Sequence, residues 1–429
     1  MKCDSCFIIL VPHEPNLWKG YRMSIKEPTK ILVLNSGSSS LKYEVFSMPD
    51  KLSLGKGSVE RIGEPKGILT QSSPSGSIKV EEVFADHTAA MLRVGQALVD
   101  PEKGILSSIK EIGAIGHRVV HGGERFSSSV RIDEEVMSAI QENIELAPLH
   151  NPANLTGIKE AEQLMPGVPQ VAVFDTAFHQ TMSPTAYLYG LPRELYDKYR
   201  IRRYGFHGTS HRYVADRALE LLGRKADNTN LITCHLGNGA SITAIEGGRS
   251  IDTSMGFTPL EGLMMGTRSG DFDPAILGFL LERGCTPQEL NTMLNKKSGL
   301  LGLSGISNDL RDLEAASEKG IRNAIEALDV YAHRVRKYIG AYMAELVKVD
   351  AIVFTGGVGQ HGVKMRERIC HRLENVGIMM DYEANRDDGS AEGAVSHAYS
   401  PTSILVIPTN EELQIAMDTY ALLFETPPR

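Results

Sequence analysis

The sequence is poor in the features that mark secreted, membrane-spanning and nucleic-acid-binding proteins. It has 5 cysteines, 1 tryptophan and 6% aromatic residues in 429. Lys and Arg total 45 against 53 Asp and Glu, which gives a net charge of −8. A negative chain is not attracted over a broad face to nucleic acid or to an anionic membrane surface. No apolar run reaches the roughly 18 residues of a membrane helix. We therefore expect neither nucleic acid nor membrane as a partner.

The cysteines show no spacing typical of a disulfide framework. Cys234 and Cys285 fall in segments that we predict to be ordered, and Cys370 lies near a predicted helix. We therefore predict a cytoplasmic protein whose cysteines are reduced. Cys3 and Cys6 form a CxxC without a second pair, and a zinc or redox role is the alternative there.

Residues 1–28 precede the first predicted strand and show no clear periodicity. Their apolar piece is too short for a secretory signal, and acidic residues are present. We expect a poorly ordered N-terminal extension rather than a targeting peptide.

Two glycine-rich loops are the most informative local feature of the sequence. Residues 31–46 read ILVLNSGSSSLKYEVF, and residues 231–244 read LITCHLGNGASITA. Each is an apolar run, a Gly/Ser/Asn loop and a run of alternating polarity, which predicts a strand, a turn and a second strand. Such loops expose backbone N–H groups that can bind an anion. Their recurrence predicts a duplicated phosphate-handling fold, although a plain hairpin turn is the alternative for the first loop alone.

Strands and helices alternate along the rest of the sequence, which predicts an α/β fold. The runs at 168–175, 350–359 and 403–409 read as strands, the second followed by a glycine turn. A 3.6-residue apolar period predicts a long helix over about 321–347. Residues 251–312 are too rich in Gly, Met, Asp and Arg to be an inert connection.

Charged residues cluster at predicted strand ends. Arg118 lies between His117 and His121, and a buried guanidinium needs an anion or a carboxylate partner. Asp175 ends its strand at the carboxyl edge, where α/β proteins bind ligands. We predict a functional role for Arg118, whereas His117 and His121 also fit structural roles.

Two further segments add cations and an imidazole. RRYGFHGTSH (202–211) contains His207, and MGTRSGD (265–271) contains Arg268. Two arginines from distant segments, an acid and a histidine fit phosphoryl transfer, in which the protein mostly positions the reactants and neutralises charge.

The chain resembles the acetate and propionate kinase family from about residue 30 to residue 419. The resemblance rests on nine motifs in order: NSGSSSLK, GHRVVHGG, APLHNP, FDTAFH, RRYGFHGTSH, HLGNGAS, DTSMGFTPLEGLMMGTRSGD, SGISNDLRDL and PTNEEL. It implies two duplicated actin-like (ribonuclease H-like) domains with mixed, mostly parallel sheets and an interdomain cleft. The implied domains are 29–175 plus 411–429, and 176–410 for the nucleotide.

The resemblance also implies roles for individual residues. Arg118, Asp175, His207 and Arg268 would be catalytic, and Arg118 would also bind the acetate carboxylate. Val120, Leu149 and Pro259 would line the methyl pocket, while Asn35 and Glu411 would serve the metal. The nucleotide would be held by Lys42, His235, Leu236, Gly237, Asn238, Gly239, Asp309, Leu310, Arg311, Gly357, Val358, Gly359, Gln360 and His361. Glu411 is preferred over Glu412 for the metal because a capping box from Thr409 would occupy Glu412.

The implied reaction is reversible in-line transfer of the γ-phosphate of ATP to acetate, which gives acetyl phosphate and ADP. Mg²⁺, or alternatively Mn²⁺, would be the metal, and the protein would be a cytoplasmic homodimer. Residues 356–361 read GGVGQH where the family has a sequence like AGIGEN, so we hypothesise weak discrimination among purine triphosphates.

Three alternatives stay open from the sequence. Propionate as substrate differs by one methylene, worth only about 1–3 kcal/mol in an apolar pocket. Pyrophosphate could replace ATP, although the intact SGISNDLRDL segment argues against this. A non-catalytic scaffold would be expected to lose charge at the reacting centre, yet Arg118, Asp175, His207 and Arg268 are all present.

Overall fold

The fold was described from a computed structural model, which describes residues 28–148, 150–386, 389 and 392–425. The predicted N-terminal extension and its CxxC, and the predicted pocket residue Leu149, lie outside these ranges. No helix in the described ranges is long and apolar enough to span a membrane.

Fourteen strands occur in the described chain. In chain order they are β1 (Thr29–Ser36), β2 (Ser40–Met48), β3 (Leu52–Glu60), β4 (Gly67–Ser73), β5 (Gly76–Glu82), β6 (Ile112–Val119), β7 (Val130–Arg131), β8 (Gln170–Phe174), β9 (Asn230–Leu236), β10 (Ala240–Glu246), β11 (Arg249–Thr253), β12 (Ala351–Thr355), β13 (Gly393–Ala394) and β14 (Ser403–Val406).

Fourteen α-helices accompany these strands within the same ranges. They are α1 (His87–Leu98), α2 (Glu134–Glu142), α3 (Asn151–Leu164), α4 (Pro184–Tyr187), α5 (Arg193–Tyr199), α6 (Gly208–Leu222), α7 (Ala275–Leu281), α8 (Pro287–Lys296), α9 (Gly299–Ser304), α10 (Leu310–Glu318), α11 (Arg322–Leu346), α12 (Gly356–His361), α13 (Val363–Cys370) and α14 (Glu411–Phe424).

The strands form two sheets that share one plan. The first has the order β5-β4-β3-β2-β1-β6-β8-β7, and the second has the order β11-β10-β9-β12-β14-β13. In the first, β1, β2 and β3 are antiparallel neighbours, and β1, β6 and β8 are parallel neighbours. In the second, β9, β10 and β11 repeat the antiparallel part, and β9, β12 and β14 repeat the parallel part. The predicted α/β class and the duplication are confirmed.

Both faces of the first sheet are covered, as its continuous apolar run predicts. On β1, Leu32 and Leu34 join the core cluster that includes residues of α1 and α3. The alternate residues Ile31 and Val33 join Ile415 and the rest of α14 on the other face. Since α14 also contacts α6, this last helix connects the two halves of the molecule. The proposed domain limits themselves stay a prediction.

The second sheet is covered in the same way. Cys234 and Leu236 of β9 pack with α11, the predicted long helix, in the largest apolar cluster. On the opposite face, Leu231 packs with Val214 and Ala218 of α6. The predicted glycine turn after β12 is instead the short helix α12. Gly356 permits this because it takes the left-handed backbone (φ +73°), and an added Cβ would lie 2.6 Å from the Leu236 carbonyl oxygen.

Candidate functional site

A buried acid and a guanidinium meet at the carboxyl ends of the parallel strands β6 and β8. Arg118 Nε donates to both carboxylate oxygens of Asp175, at 3.0 and 3.2 Å, and Nη2 donates to one of them at 2.7 Å. The Asp175 side chain is 2% exposed, and that of Arg118 is 23% exposed. The Asp175 charge raises the pKa of Arg118 still further, so the guanidinium stays charged. The pair therefore presents a fixed positive edge beside a fixed carboxylate.

Glu411, the first residue of α14, brings a second carboxylate to the same place. Its carboxylate lies 3.9 Å from Arg118 Nε. Burial, which outweighs the attraction of Arg118, together with the Asp175 charge raises the pKa of Glu411 to about 7. Two acids held close together in a buried site are destabilised without a cation, and this is a suitable setting for a hard divalent ion.

The predicted capping box at the start of α14 is wrong. Asn410 is the N-cap residue, and its side-chain oxygen accepts from Leu413 N at 2.9 Å. The Thr409 hydroxyl instead contacts Ser210 Oγ at 2.7 Å, so Glu412 is not held by Thr409. The Asn410 side chain thus accepts from a free N–H group of the first helical turn. The Thr409 contact joins residues 199 positions apart, so the sequence gives no local signal for it. Glu411 nevertheless lies nearer to Arg118 than Glu412 does.

The first glycine hairpin lies next to these acids. Asn35 on β1 pairs with Lys42 on β2 across the antiparallel ladder. Lys42 is close enough to Glu411 to lower its pKa. No group of three His, Cys, Asp or Glu side chains with metal-site geometry occurs among the described residues. Two carboxylates and one amide still fit magnesium, which keeps several waters and shares its remaining positions with phosphate oxygens.

The second half contributes stacked, neutral imidazoles. His207 and His235 stack with ring centroids 4.2 Å apart. Burial lowers the pKa of His207 well below its usual value, and the pKa of His235 to about 4. His207 is the N-cap of α6 and takes the left-handed backbone (φ +58°). Ser210, in the first turn of α6, is therefore not the helix cap. Both rings are therefore neutral at pH 7, and each can donate one hydrogen bond without carrying charge.

Arg268 belongs to the glycine-rich segment 251–312, and its guanidinium lies beside His207. No carboxylate lies within 4 Å of its guanidinium in the described part of the chain, and burial lowers its pKa. A Cβ added at Gly239 would lie 3.5 Å from Cε1 and Nε2 of His207 and 3.6 Å from Nη1 of Arg268. The second glycine loop thus faces an imidazole edge and an uncompensated cation, an arrangement suited to an anion.

A cavity of about 480 Å³ opens next to the second glycine loop. Eight of the predicted nucleotide residues line it: Gly237, Asn238, Asp309, Leu310, Arg311, Gly357, Val358 and His361. The others do not, and Gln360 turns away to donate to the Gly389 carbonyl oxygen at 2.7 Å. The Gln of GGVGQH is thereby held by the protein itself, whereas His361 reaches the cavity.

Two residues of the predicted acyl pocket, Val120 and Pro259, lie within the described part of the chain. Val120 is 7% exposed and belongs to the same apolar cluster as Phe206, and Pro259 is half-buried. The Pro259 carbonyl oxygen lies 3.4 Å from Arg268 Nη1. Sequence reasoning missed Phe206, although it stands next to His207 in RRYGFHGTSH.

Reasoning from the sequence also missed His150, at the start of α3. Burial lowers its pKa, and so do the nearby charges of Arg118 and Arg268. It therefore lies close to both arginines of the candidate site. Its motif, APLHNP, was the available signal.

Comparisons with known proteins agree with this geometry. The Acetokinase family matches residues 30–417. A protein named acetate kinase from Desulfitobacterium hafniense is 56% identical over 396 residues, which are 92% of this chain and 99% of that protein. A crystal structure of acetate kinase from Porphyromonas gingivalis is 48% identical, with a TM-score of 0.89. A propionate kinase structure from Francisella tularensis is 43% identical, with a TM-score of 0.86. Each structural match covers 92% of this chain and 100% of the other.

The matching motifs, the duplicated sheets and the converging charged groups therefore have one explanation, which is that the chain belongs to the acetokinase family, whose members are phosphotransferases with a carboxyl group as acceptor.

Proposed function

We propose that this chain transfers the γ-phosphate of ATP directly and reversibly to a carboxylate oxygen of acetate, giving acetyl phosphate and ADP. The observation that carries the proposal is the convergence of two differently partnered arginines. Arg118 is fixed by Asp175. Arg268, which has no carboxylate within 4 Å among the residues that the structure describes, faces His207 and Gly239. One guanidinium can orient the acceptor carboxylate while the other neutralises the transferring phosphoryl group.

The residues of the second half would hold the donor. The nucleoside would occupy the 480 Å³ cavity, and its phosphates would then lie along Gly237 and Asn238, which line that cavity. The neutral His207 would donate to an equatorial phosphoryl oxygen, where negative charge is spread in the transition state. This cavity also supports ATP over pyrophosphate, since pyrophosphate has no nucleoside to fill it.

The residues of the first half would hold the acceptor. Arg118 would bind the acetate carboxylate, and Val120 and Pro259 would contact its methyl group, together with Leu149. Asp175 would fix the Arg118 fork and, with Glu411 and Asn35, hold the metal. When bound there, Mg²⁺ (or Mn²⁺) would neutralise and orient phosphate oxygens.

We also propose that the protein is a homodimer in the cytoplasm. Helix α7 reads AILGFLL and none of its residues is buried; Phe279 is 52% exposed and Ile276 is 45% exposed. An apolar helix left uncovered is typical of a subunit contact. Light scattering coupled to size-exclusion chromatography tests this directly, and a monomer at micromolar concentration would contradict it.

Propionate kinase is the second candidate, because a propionate kinase structure is nearly as similar as the acetate kinase one. The test is to trap the acyl phosphate with hydroxylamine, supplying acetate, propionate or butyrate with ATP, GTP or pyrophosphate. We expect acetate with a nucleoside triphosphate to give the highest kcat/KM. A higher value with propionate would favour the second candidate, and the absence of any acyl phosphate would refute both. A strict preference for ATP over GTP would refute the hypothesis drawn from GGVGQH.

A further inference from the structure

A chain of buried hydrogen bonds extends from His207 away from the candidate site. His207 Nδ1 lies 2.9 Å from Ser241 Oγ, and the same hydroxyl lies 2.7 Å from His211 Nε2. The other nitrogen of His211, Nδ1, lies 2.7 Å from Thr233 Oγ1. Ser241, His211 and Thr233 are all 0% exposed. Two imidazoles and two hydroxyls therefore form one line, which is fully buried beyond His207.

The number of protons on this line restricts its possible states. Ser241 has one proton, so it cannot donate to both imidazoles. Burial also lowers the pKa of His211 well below its usual value, so both rings are neutral and each carries one proton. When His207 Nδ1 accepts from Ser241, Ser241 accepts from His211 Nε2–H, and Thr233 donates to His211 Nδ1. In the two other arrangements, every bond is reversed or Ser241 accepts from both rings, and in each of them the proton of His207 lies on Nδ1.

Only the first of these arrangements suits phosphoryl transfer. His207 Nε2 has no hydrogen-bond partner among the described residues, and its edge faces Gly239 beside Arg268. A neutral ring with its proton on Nε2 donates to a phosphoryl oxygen, whereas a ring with its proton on Nδ1 turns a lone pair toward that oxygen. The wrong tautomer repels the charge that the site has to stabilise.

We infer that Ser241 is a positioning residue for the reaction, because with His211 and Thr233 it forms a polarised hydroxyl–imidazole line that keeps the proton of His207 on Nε2. This inference rests on the proposed role of His207 as a donor to the phosphoryl group. Atoms and protons balance, since no proton leaves the line and none is transferred during the reaction.

The neighbouring imidazole does not compete for this line. His235 Nδ1 lies 2.8 Å from Ser210 Oγ, which in turn lies 2.7 Å from Thr409 Oγ1. The two stacked rings therefore contact different hydroxyl groups, Ser241 for His207 and Ser210 for His235. Ser241 is thereby left to serve His207 and His211 alone.

The chain offers a matched control for the test. Ser250 is another fully buried serine, and its hydroxyl lies 2.9 Å from Nδ1 of a different buried histidine, His179. Ser241→Ala removes the donor to His207, Thr233→Val removes the far end of the line without changing side-chain shape, and Ser250→Ala removes an equivalent contact outside the line. All three variants are compared with the unmodified full chain by thermal melting, steady-state kinetics and ¹⁵N NMR of histidine-labelled protein. His207→Asn assigns the His207 ring signals.

We expect the unmodified protein to show His207 protonated on Nε2. Ser241→Ala should lower kcat about 10- to 100-fold, with the KM values for acetate and ATP within about 2-fold, and should move part of the His207 proton to Nδ1. Thr233→Val should lower kcat by a smaller factor in the same direction. Ser250→Ala should leave kcat unchanged while losing similar thermal stability.

Two results would overturn the inference: a His207 proton on Nδ1 in the unmodified protein, or Ser241→Ala and Thr233→Val variants that fold and keep kcat within about 2-fold. Failure of the proposed function would be a separate result, namely that the unmodified protein forms no acyl phosphate. The ring-nitrogen signals still decide the tautomer in that case.

Discussion

The two glycine hairpins have the same backbone plan and opposite chemistry. The β1–β2 hairpin adjoins charged groups, namely Lys42, Arg118, Asp175 and Glu411. The β9–β10 hairpin instead contributes His235 and Ser241 to a buried network of neutral imidazoles and hydroxyls. The same fold plan thus surrounds a charged cluster in one half and, beside Arg268, a network of neutral side chains in the other. We propose that the first serves the acceptor and the metal and the second the phosphate donor.

This difference has a physical reason. Acetate and a divalent metal are compact charges that require fixed opposite charges around them. The phosphates of a nucleotide require directed hydrogen bonds and a nearby cation, a role that we propose for Arg268. Similar topology therefore predicts where each ligand region lies but not what it contains.

The largest effect is expected from Arg118→Ala. It removes the acceptor's cation and leaves Asp175 buried without its partner, so kcat/KM for acetate should fall about 10³-fold. Initial rates with hydroxylamine trapping measure this. Arg322→Ala is the control, since Arg322 forms an exposed ion pair with Glu326 on α11 and should change the rate less than 2-fold. Equal losses in the two variants would contradict the assignment.

Arg268→Ala should affect the second region, next to the β9–β10 hairpin. Because this guanidinium is expected to contact the phosphoryl group in the transition state, kcat should fall about 10²-fold while KM for acetate changes little. The same assay over a range of acetate concentrations checks this. A rise in acetate KM with an unchanged kcat would place Arg268 with the acceptor instead.

Acid should destabilise the protein through its neutral histidines. Burial lowers the pKa of His179 to about 4, from about 6.5 in the unfolded chain. The unfolded state therefore binds more protons between these values. The stabilisation is complete above pH 6.5 and is lost as the pH falls toward 4, by about 2 kcal/mol for this residue at pH 5.

Urea unfolding at pH 7 and pH 5 measures that loss. His179→Gln should reduce the difference between the two pH values, whereas His333→Gln, at an exposed position on α11, should preserve it. A protein that is equally stable at both pH values would contradict the prediction.

The smallest effect compares the two loops by the same substitution. A methyl group at Gly239 would enter the space between His207 and Arg268, so Gly239→Ala should lower kcat about 10-fold. In Gly37→Ala the new methyl group meets the movable Ser40 hydroxyl at 2.8 Å and the Ser40 carbonyl oxygen at 3.6 Å, and kcat should change less. If Gly37→Ala lost the larger share of kcat, the transferring phosphoryl group would have to lie nearer the first loop.

Much of the fold was predictable because it depends on local patterns. The continuous apolar runs predicted β1 and β9, and the 3.6-residue period predicted α11 almost to its ends. The start of α14 was predicted incorrectly, since Thr409 and Asn410 are both good caps and a distant contact from Ser210 selects between them.

The site was predictable as a set of residues but not as a network. Arg118 and Asp175 stand out in sequence because they are charges near strand ends, and Arg268 because it is a cation in a glycine-rich loop. Ser241 does not, because a serine in an alternating strand is unremarkable until the β9–β10 register and the packing of α6 bring it between His207 and His211. The assignments of these residues to substrate, metal and nucleotide remain predictions.

The division of labour between the halves is tested most directly by measuring both KM values in two variants. Arg118→Ala changes the charged half, and Asn308→Ala changes the nucleotide cavity, where Asn308 donates to Asn238 at 3.0 Å. We predict that Arg118→Ala raises KM for acetate at least about 10-fold and leaves KM for ATP within about 2-fold, and that Asn308→Ala does the reverse with a smaller factor. If each variant raised both KM values equally, the two halves would not hold separate substrates, and the account would be contradicted.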